Sequence, residues 1–172
     1  VTQADRRNIE EMFADHPLAE VLTAEMQQGF GTGPVGQRRR RSTPALPLRH
    51  VVPAGHPRMV ATTAAIAERL DAGGGLLYRY LHDESPDGLP GDEGAFVLCS
   101  FWLIDNLTLQ GRIEEAEQLY DSLCARAGPL GLFSEQIDPS TGAFMGNFPQ
   151  AFSHIGVIAS GVNLARAKAA TR

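Results

Sequence analysis

The sequence predicts an all-α fold in which outer and inner helices alternate. Three observations carry that prediction. Apolar residues recur at helical spacing over 57–70 and 113–123, while 94–109 and 149–168 are apolar or small on nearly every face. The connections are short, which favours antiparallel neighbours. Amphipathic and all-round buried helices in alternation are what two concentric rings require, the inner ring touching both the outer ring and its own neighbours. A simple five-helix bundle has no need for two helices buried on all sides, so the pattern implies further neighbours.

Residues 3–28 could form one or two short helices around Asp15-His16-Pro17, and GFGTGPVGQRRRRSTPALP then reads as a linker or disordered segment. The run Arg38 to Arg41 could attract phosphates, but arginines in a Gly/Pro-rich setting are more often solvated. From Pro57, tolerated in a first turn, Val60, Thr63, Ala64, Ala67 and Leu70 form the apolar stripe of a helix that Gly73-Gly74-Gly75 should stop. Leu77, Tyr78 and Tyr80 suit a short extended piece before the turn-rich loop HDESPDGLPGDEG. In GAFVLCSFWLIDNLTL the main polar exceptions are Asp105 and Asn106, hence a helix buried all round. After Gly111, Ile113, Ala116, Leu119, Tyr120 and Leu123 form one stripe, and Glu114, Glu115, Gln118 and Asp121 the wet side. The last helix, from about Pro149 to Lys168, is rich in small residues that permit close helix approach: Ala151, Ser153, Gly156, Ala159, Ser160 and Gly161.

A chain of 172 residues with 43% apolar content can bury one ordinary core. No apolar run reaches the roughly 18 residues that span a bilayer, and the start VTQADRRNIEEMF is too charged for the core of a secretion signal, so no membrane contact and a cytoplasmic location are expected. The net charge of −5 argues against a broad cationic surface for nucleic acid. Cys99 and Cys124 lack C-x-x-C spacing and read as buried free thiols. His16, His50, His56, His82 and His154 are scattered without metal-ligand spacing, so no metal and no cofactor are expected.

The loop holding Glu135 joins an outer-type helix ending near Gly128 to an inner-type helix starting near Pro149, which places it at one mouth of any ring. Leu132-Phe133 before it and Gln136 after it could desolvate the carboxylate and give it a hydrogen-bonding neighbour. A lone loop carboxylate is, by itself, far more often structural than catalytic.

The stretches GDEGAFVLCSFWLIDNLTLQGRIEEAEQLYDSL and GLFSEQIDPSTGAFMGNFPQAFSHIGVI supply the missing context. With LPL, VVPAGHPRMVATTAAIAERL and LLYRY before them, they resemble glycoside hydrolase family 15, the family of glucoamylases, glucodextranases and bacterial trehalases, in the expected order over about 46–165. The resemblance implies an (α/α)6 toroid of which residues 46–172 would supply roughly the last five helices, with 1–45 unassigned. It implies hydrolysis of an α-glucosidic bond with inversion, which uses one carboxylic acid to protonate the leaving oxygen and one carboxylate to activate water, about 6.5–9.5 Å apart. Glu135, in the S-E-Q motif, matches the family's general base, and Arg79, in Tyr78-Arg79-Tyr80, its sugar-binding arginine. A guanidinium donates several hydrogen bonds in a fixed fork, although Arg79 could equally pair with Asp83 or Glu84. Glu93, Phe96, Gln136 and His154 match by position as walls of a pocket for a glucose-containing di- or oligosaccharide. For His154 a hydrogen bond inside the last helix is favoured over substrate contact, and for Trp102 core packing over a sugar platform.

The family's general acid lies in a W-E motif, whereas the one tryptophan, Trp102, is followed by Leu103. The sequence therefore reads as a truncated or degenerate product, or an excerpt, which carries base but not acid. Loss of the acid removes about 10²–10⁴ in rate. Half a ring would also leave inner helices uncovered, predicting an apolar patch and association with the missing half-domain or a second copy. The alternative is a non-catalytic helical module for carbohydrate binding or assembly.

Overall fold

A computed structural model describes residues 45–48, 52–80 and 93–170. The helices expected within 3–28, the linker, Arg38 to Arg41 and the loop with Asp83 and Glu84 lie outside the described residues. The described elements all belong to a compact unit, Arg39–Arg172. They are mostly helical: α1 (Ala45–Leu48), α2 (Pro57–Arg69), α3 (Val97–Leu109), α4 (Ile113–Cys124) and α5 (Ala151–Ala170). Two small antiparallel sheets accompany them, where one short extended piece around Leu77 was expected. β1 (Asp71–Gly73) pairs with β2 (Leu76–Leu77), and β3 (Ala95–Phe96), β4 (Gln136–Ile137) and β5 (Phe144–Met145) run in that order across a second sheet.

The start of α2 follows from its residues. Pro57 occupies the first turn, and the His56 ring accepts a hydrogen bond from the Arg58 amide at 3.2 Å, satisfying one orphan donor of the helix end. The buried stripe is Met59, Thr62, Thr63, Ile66 and Leu70, rotated from the expected one: Val60 and Ala64 face solvent. Met59 and Ile66 offer more apolar surface to bury than Val60 and Ala64, and burial follows area. Gly73-Gly74-Gly75 does not stop this helix, which ends at Arg69; all three glycines have positive φ and turn the β1–β2 hairpin instead.

The core lies around α3, where Phe101, Ile104, Val97 and Leu107 are all but fully buried. Polar groups on α3 are used rather than stranded: Ser100 Oγ accepts from the Leu77 amide at 3.0 Å, and Thr108 Oγ1 donates to Ile104 O at 2.9 Å. Cys99 is buried and Cys124 half-buried, neither in a disulfide, and Trp102 packs against the core from its edge. On α4 the predicted stripe holds, with Ala116 and Leu123 buried and Glu114, Glu115, Gln118 and Asp121 exposed.

α5 packs on α3 through small residues. Ser160 Oγ donates to Phe101 O at 3.1 Å, Asn163 Nδ2 donates to Asp105 Oδ1 at 3.0 Å, and Gly156 sits against Leu98 and Phe101. These partners advance together along both helices, so α3 and α5 run parallel. α4 runs antiparallel to α5, since Tyr120 donates to Val157 O at 3.1 Å while Glu117 pairs with Lys168. α3, α4 and α5 thus run up, down and up. The expectation that α5 is buried all round fails: only Ser153, Gly156, Ser160 and Leu164 are buried, and Phe152, Ile155, Ile158 and Val162 are exposed. No helix among the described residues is long and apolar enough to cross a membrane.

Candidate active site

Glu135 lies where the second sheet meets the starts of α3 and α5. Its carbonyl accepts from the Val97 amide at 3.1 Å, at the first residue of α3, and its amide donates to Asn147 O at 2.9 Å. Two residues earlier, Phe133 O accepts from the Gln150 amide at 2.9 Å, just before α5. The half-exposed side chain turns toward Asn147, whose amide and Nδ2 both donate to Oε2, at 3.2 and 3.0 Å.

Gln136 faces the other way, as alternation along a strand requires. Its Oε1 accepts from the Gly94 amide at 2.8 Å, so it fastens β3 to β4 and is not the hydrogen-bond partner of Glu135. Phe96, the cross-strand partner of Gln136, carries Arg79 on its ring, with the guanidinium carbon 5.2 Å from the Phe96 centroid and 4.9 Å from that of Tyr80. Arg79 is ion-paired to Glu93 and donates to the Tyr80 hydroxyl at 3.1 Å. Burial pulls its pKa down, but the Tyr80 hydrogen bond and the Glu93 charge outweigh that and hold the guanidinium above its ordinary value. Arg79 Nε and Glu93 Oε2 are buried without a hydrogen-bond partner among the described residues.

His154 is spent on structure. Its Nδ1 lies 2.7 Å from Gln150 O, and its Nε2 accepts from the Phe133 amide at 3.3 Å, which together specify the neutral ring with hydrogen on Nδ1. It ties the first turn of α5 to the segment that leads into Glu135. Asp138 closes the turn beyond, accepting from the Ser140 amide and hydroxyl and the Thr141 hydroxyl at 2.6–2.8 Å. Those hydrogen bonds hold its carboxyl down at about 2.

Arg79, Glu93, Phe96 and Gln136 therefore gather around β3. Glu135 shares their sheet, but no hydrogen bond or ion pair links its carboxylate to them, and His154 lies behind it. The residue that sequence reasoning missed is Asn147; the Gly146-Asn147 pair after a strand-like Phe144-Met145 was the available signal for a bulge. A separate cleft of about 470 Å³, between α2, the β1–β2 hairpin, α3 and α4, is lined by none of these residues. Among the described residues no three His, Cys, Asp or Glu side chains gather to hold a metal ion.

Residues 34–162 match the family model described as Glycosyl hydrolases family 15. The chain is 46% identical over 121 residues to a trehalase of Mycolicibacterium smegmatis, covering 70% of this chain and 18% of that protein. It is 44% identical over 113 residues to a trehalase of Thermoplasma acidophilum, covering 66% and 19%, and 42% identical over 121 residues to one of Mycobacterium tuberculosis, covering 70% and 18%. The chain thus spans just under a fifth of the length of these curated relatives. No solved structure matches it.

Proposed function

The chain belongs to glycosyl hydrolase family 15, and on that premise we propose that it carries the base-bearing sector of an inverting, trehalase-type glucosidase. Glu135 is the general base in this reading. The observation that carries it is the hold on that side chain: one carboxylate oxygen takes both donors of Asn147, while the other accepts no hydrogen bond among the described residues. A base that removes a proton from water needs one such open oxygen. Water then attacks the anomeric carbon from the face opposite the leaving glucose, whose oxygen is protonated by an acid about 6.5–9.5 Å away.

That acid comes from polypeptide outside these residues, which the length of the relatives leaves ample room for. Residues 46–172 then form one side of an (α/α)6 toroid, a placement supported by the parallel inner pair α3 and α5 with α4 returning antiparallel between them. Arg79, pre-oriented by Glu93 and stacked on Phe96, is the sugar-binding donor. The substrate class is a glucose-containing disaccharide, trehalose first, on the strength of the relatives' names. A second reading, a helical module for assembly, is favoured by the uncovered apolar stripe on α5.

Glucose release from trehalose, maltose and isomaltose tests the proposal. It is measured for the chain alone and for the chain complemented with the unmatched part, about four-fifths, of a trehalase. The complemented chain is expected to turn over trehalose, with a loss of at least about 10²-fold in Glu135→Gln. Equal rates with and without Glu135 would refute the base assignment.

A further inference from the structure

The pairing of β4 with β5 slips by one residue beside Glu135. Gln136 stands opposite Met145 and Ile137 opposite Phe144, so regular pairing would set Glu135 opposite Gly146. Its amide instead donates to Asn147 O. Gly146 is thus the extra residue of a bulge, with φ of +70°, a conformation in which glycine is favoured. A Cβ on Gly146 would come within 2.9 Å of Glu135 Oε2 and 3.1 Å of Glu135 Cβ, so the carboxylate occupies space that only a glycine leaves free.

The slip has a chemical result. It delivers both donors of Asn147 to the same oxygen of Glu135, at 3.2 and 3.0 Å, and none to the other. A carboxylate free to rotate about its last bond would offer either oxygen, in many orientations. This one is fixed, with Oε1 alone open. We propose that Asn147, presented by the Gly146 bulge, is a positioning residue that commits Glu135 Oε1 to accept the proton from the attacking water. The inference rests on the reading of Glu135 as the base. Asn147 touches neither sugar nor water; it acts through the Glu135 carboxylate, so its removal changes how often the base is aimed rather than how well the sugar binds.

Asn147→Ala keeps the backbone donor and deletes the side-chain donor at an exposed position, so the fold is retained. In the complemented chain it is expected to lower kcat about 10- to 100-fold and leave KM within about twofold. A second readout uses the 172-residue chain itself: Glu135→Gln, which removes the charge from the acceptor, shifts the Asn147 side-chain amide signals in a ¹⁵N-correlated NMR spectrum. A wild-type kcat in Asn147→Ala, a raised KM at unchanged kcat, or Asn147 signals indifferent to Glu135→Gln would each overturn the inference. If Glu135→Gln abolishes turnover while Asn147→Ala does not change it, the base stands and the positioning role falls. If Glu135→Gln has no effect, or the unsubstituted complemented chain releases no glucose, the base assignment falls and takes the positioning role with it.

Discussion

Asp105 is a carboxyl that the fold buries at a cost. It is 4% exposed, on the face of α3 that meets α5, and burial pushes its carboxyl up while the hydrogen bond from Asn163 pulls it back only in part. A carboxyl raised in the folded state binds more protons folded than unfolded, so stability falls as pH rises from the unfolded value, about 3.9, through the folded one. Asp105→Asn keeps an acceptor for Asn163 and removes the buried charge. Its Tm should exceed that of the unsubstituted chain at pH 7, with the gap closing below the carboxylate range. Asp138 has the opposite sign: its contribution is present above about 3.9 and lost as pH falls through about 2, so the Ser140 amide shift should titrate with a midpoint near 2. Both positions were visible in the sequence, one as a polar exception in an apolar helix and the other as the head of a D-P-S-T-G turn. Asn147 was not, because Gly146-Asn147 signals a bulge but not the pairing of β4 with β5 that brings it to Glu135.

At the scale of elements, the helices read best where size and charge agree. The stripe of α4 was legible because its apolar and acidic residues separate cleanly around the helix. In α2 alanine and threonine fill much of both faces, so periodicity alone could not choose between neighbouring stripes, and tertiary packing chose Met59 and Ile66. The small sheets were hard to read because each strand is only two or three residues long, and β3 is held by a partner distant in sequence. The α3–α5 contact is set by the lack of a side chain at Gly156: a Cβ there would stand 3.0 Å from Leu98 Cδ1 and 3.1 Å from Phe101 Cβ. Gly156→Val should therefore force the helices apart and lower stability by about 1–3 kcal/mol, read from urea unfolding at unchanged secondary structure.

For the whole molecule, an uncovered row of side chains on α5 marks where the described fold stops being self-sufficient. Phe152, Ile155, Ile158 and Val162 are 42–65% exposed, at spacings that line one side of a helix whose other side is already packed on α3. The low polarity of α5, and with it the need for neighbours, was legible from the sequence pattern. Which side of α5 would lack them was not, because small residues mark a close contact only once the facing helix is known. The chain alone should therefore associate, and Ile155→Lys with Ile158→Lys should return it toward monomer in sedimentation velocity at the same concentration. The parallel course of α3 and α5 has an electrostatic side as well. Peptide dipoles cancel between antiparallel helices, but here two helices begin at the same end, each bringing about half a unit of positive charge from its first amides. At the end where Glu135, Asn147 and β3 meet, those two N-termini stand against the one C-terminus of the antiparallel α4, which leaves about half a positive charge built from backbone alone. No change of pH and no side-chain replacement removes it.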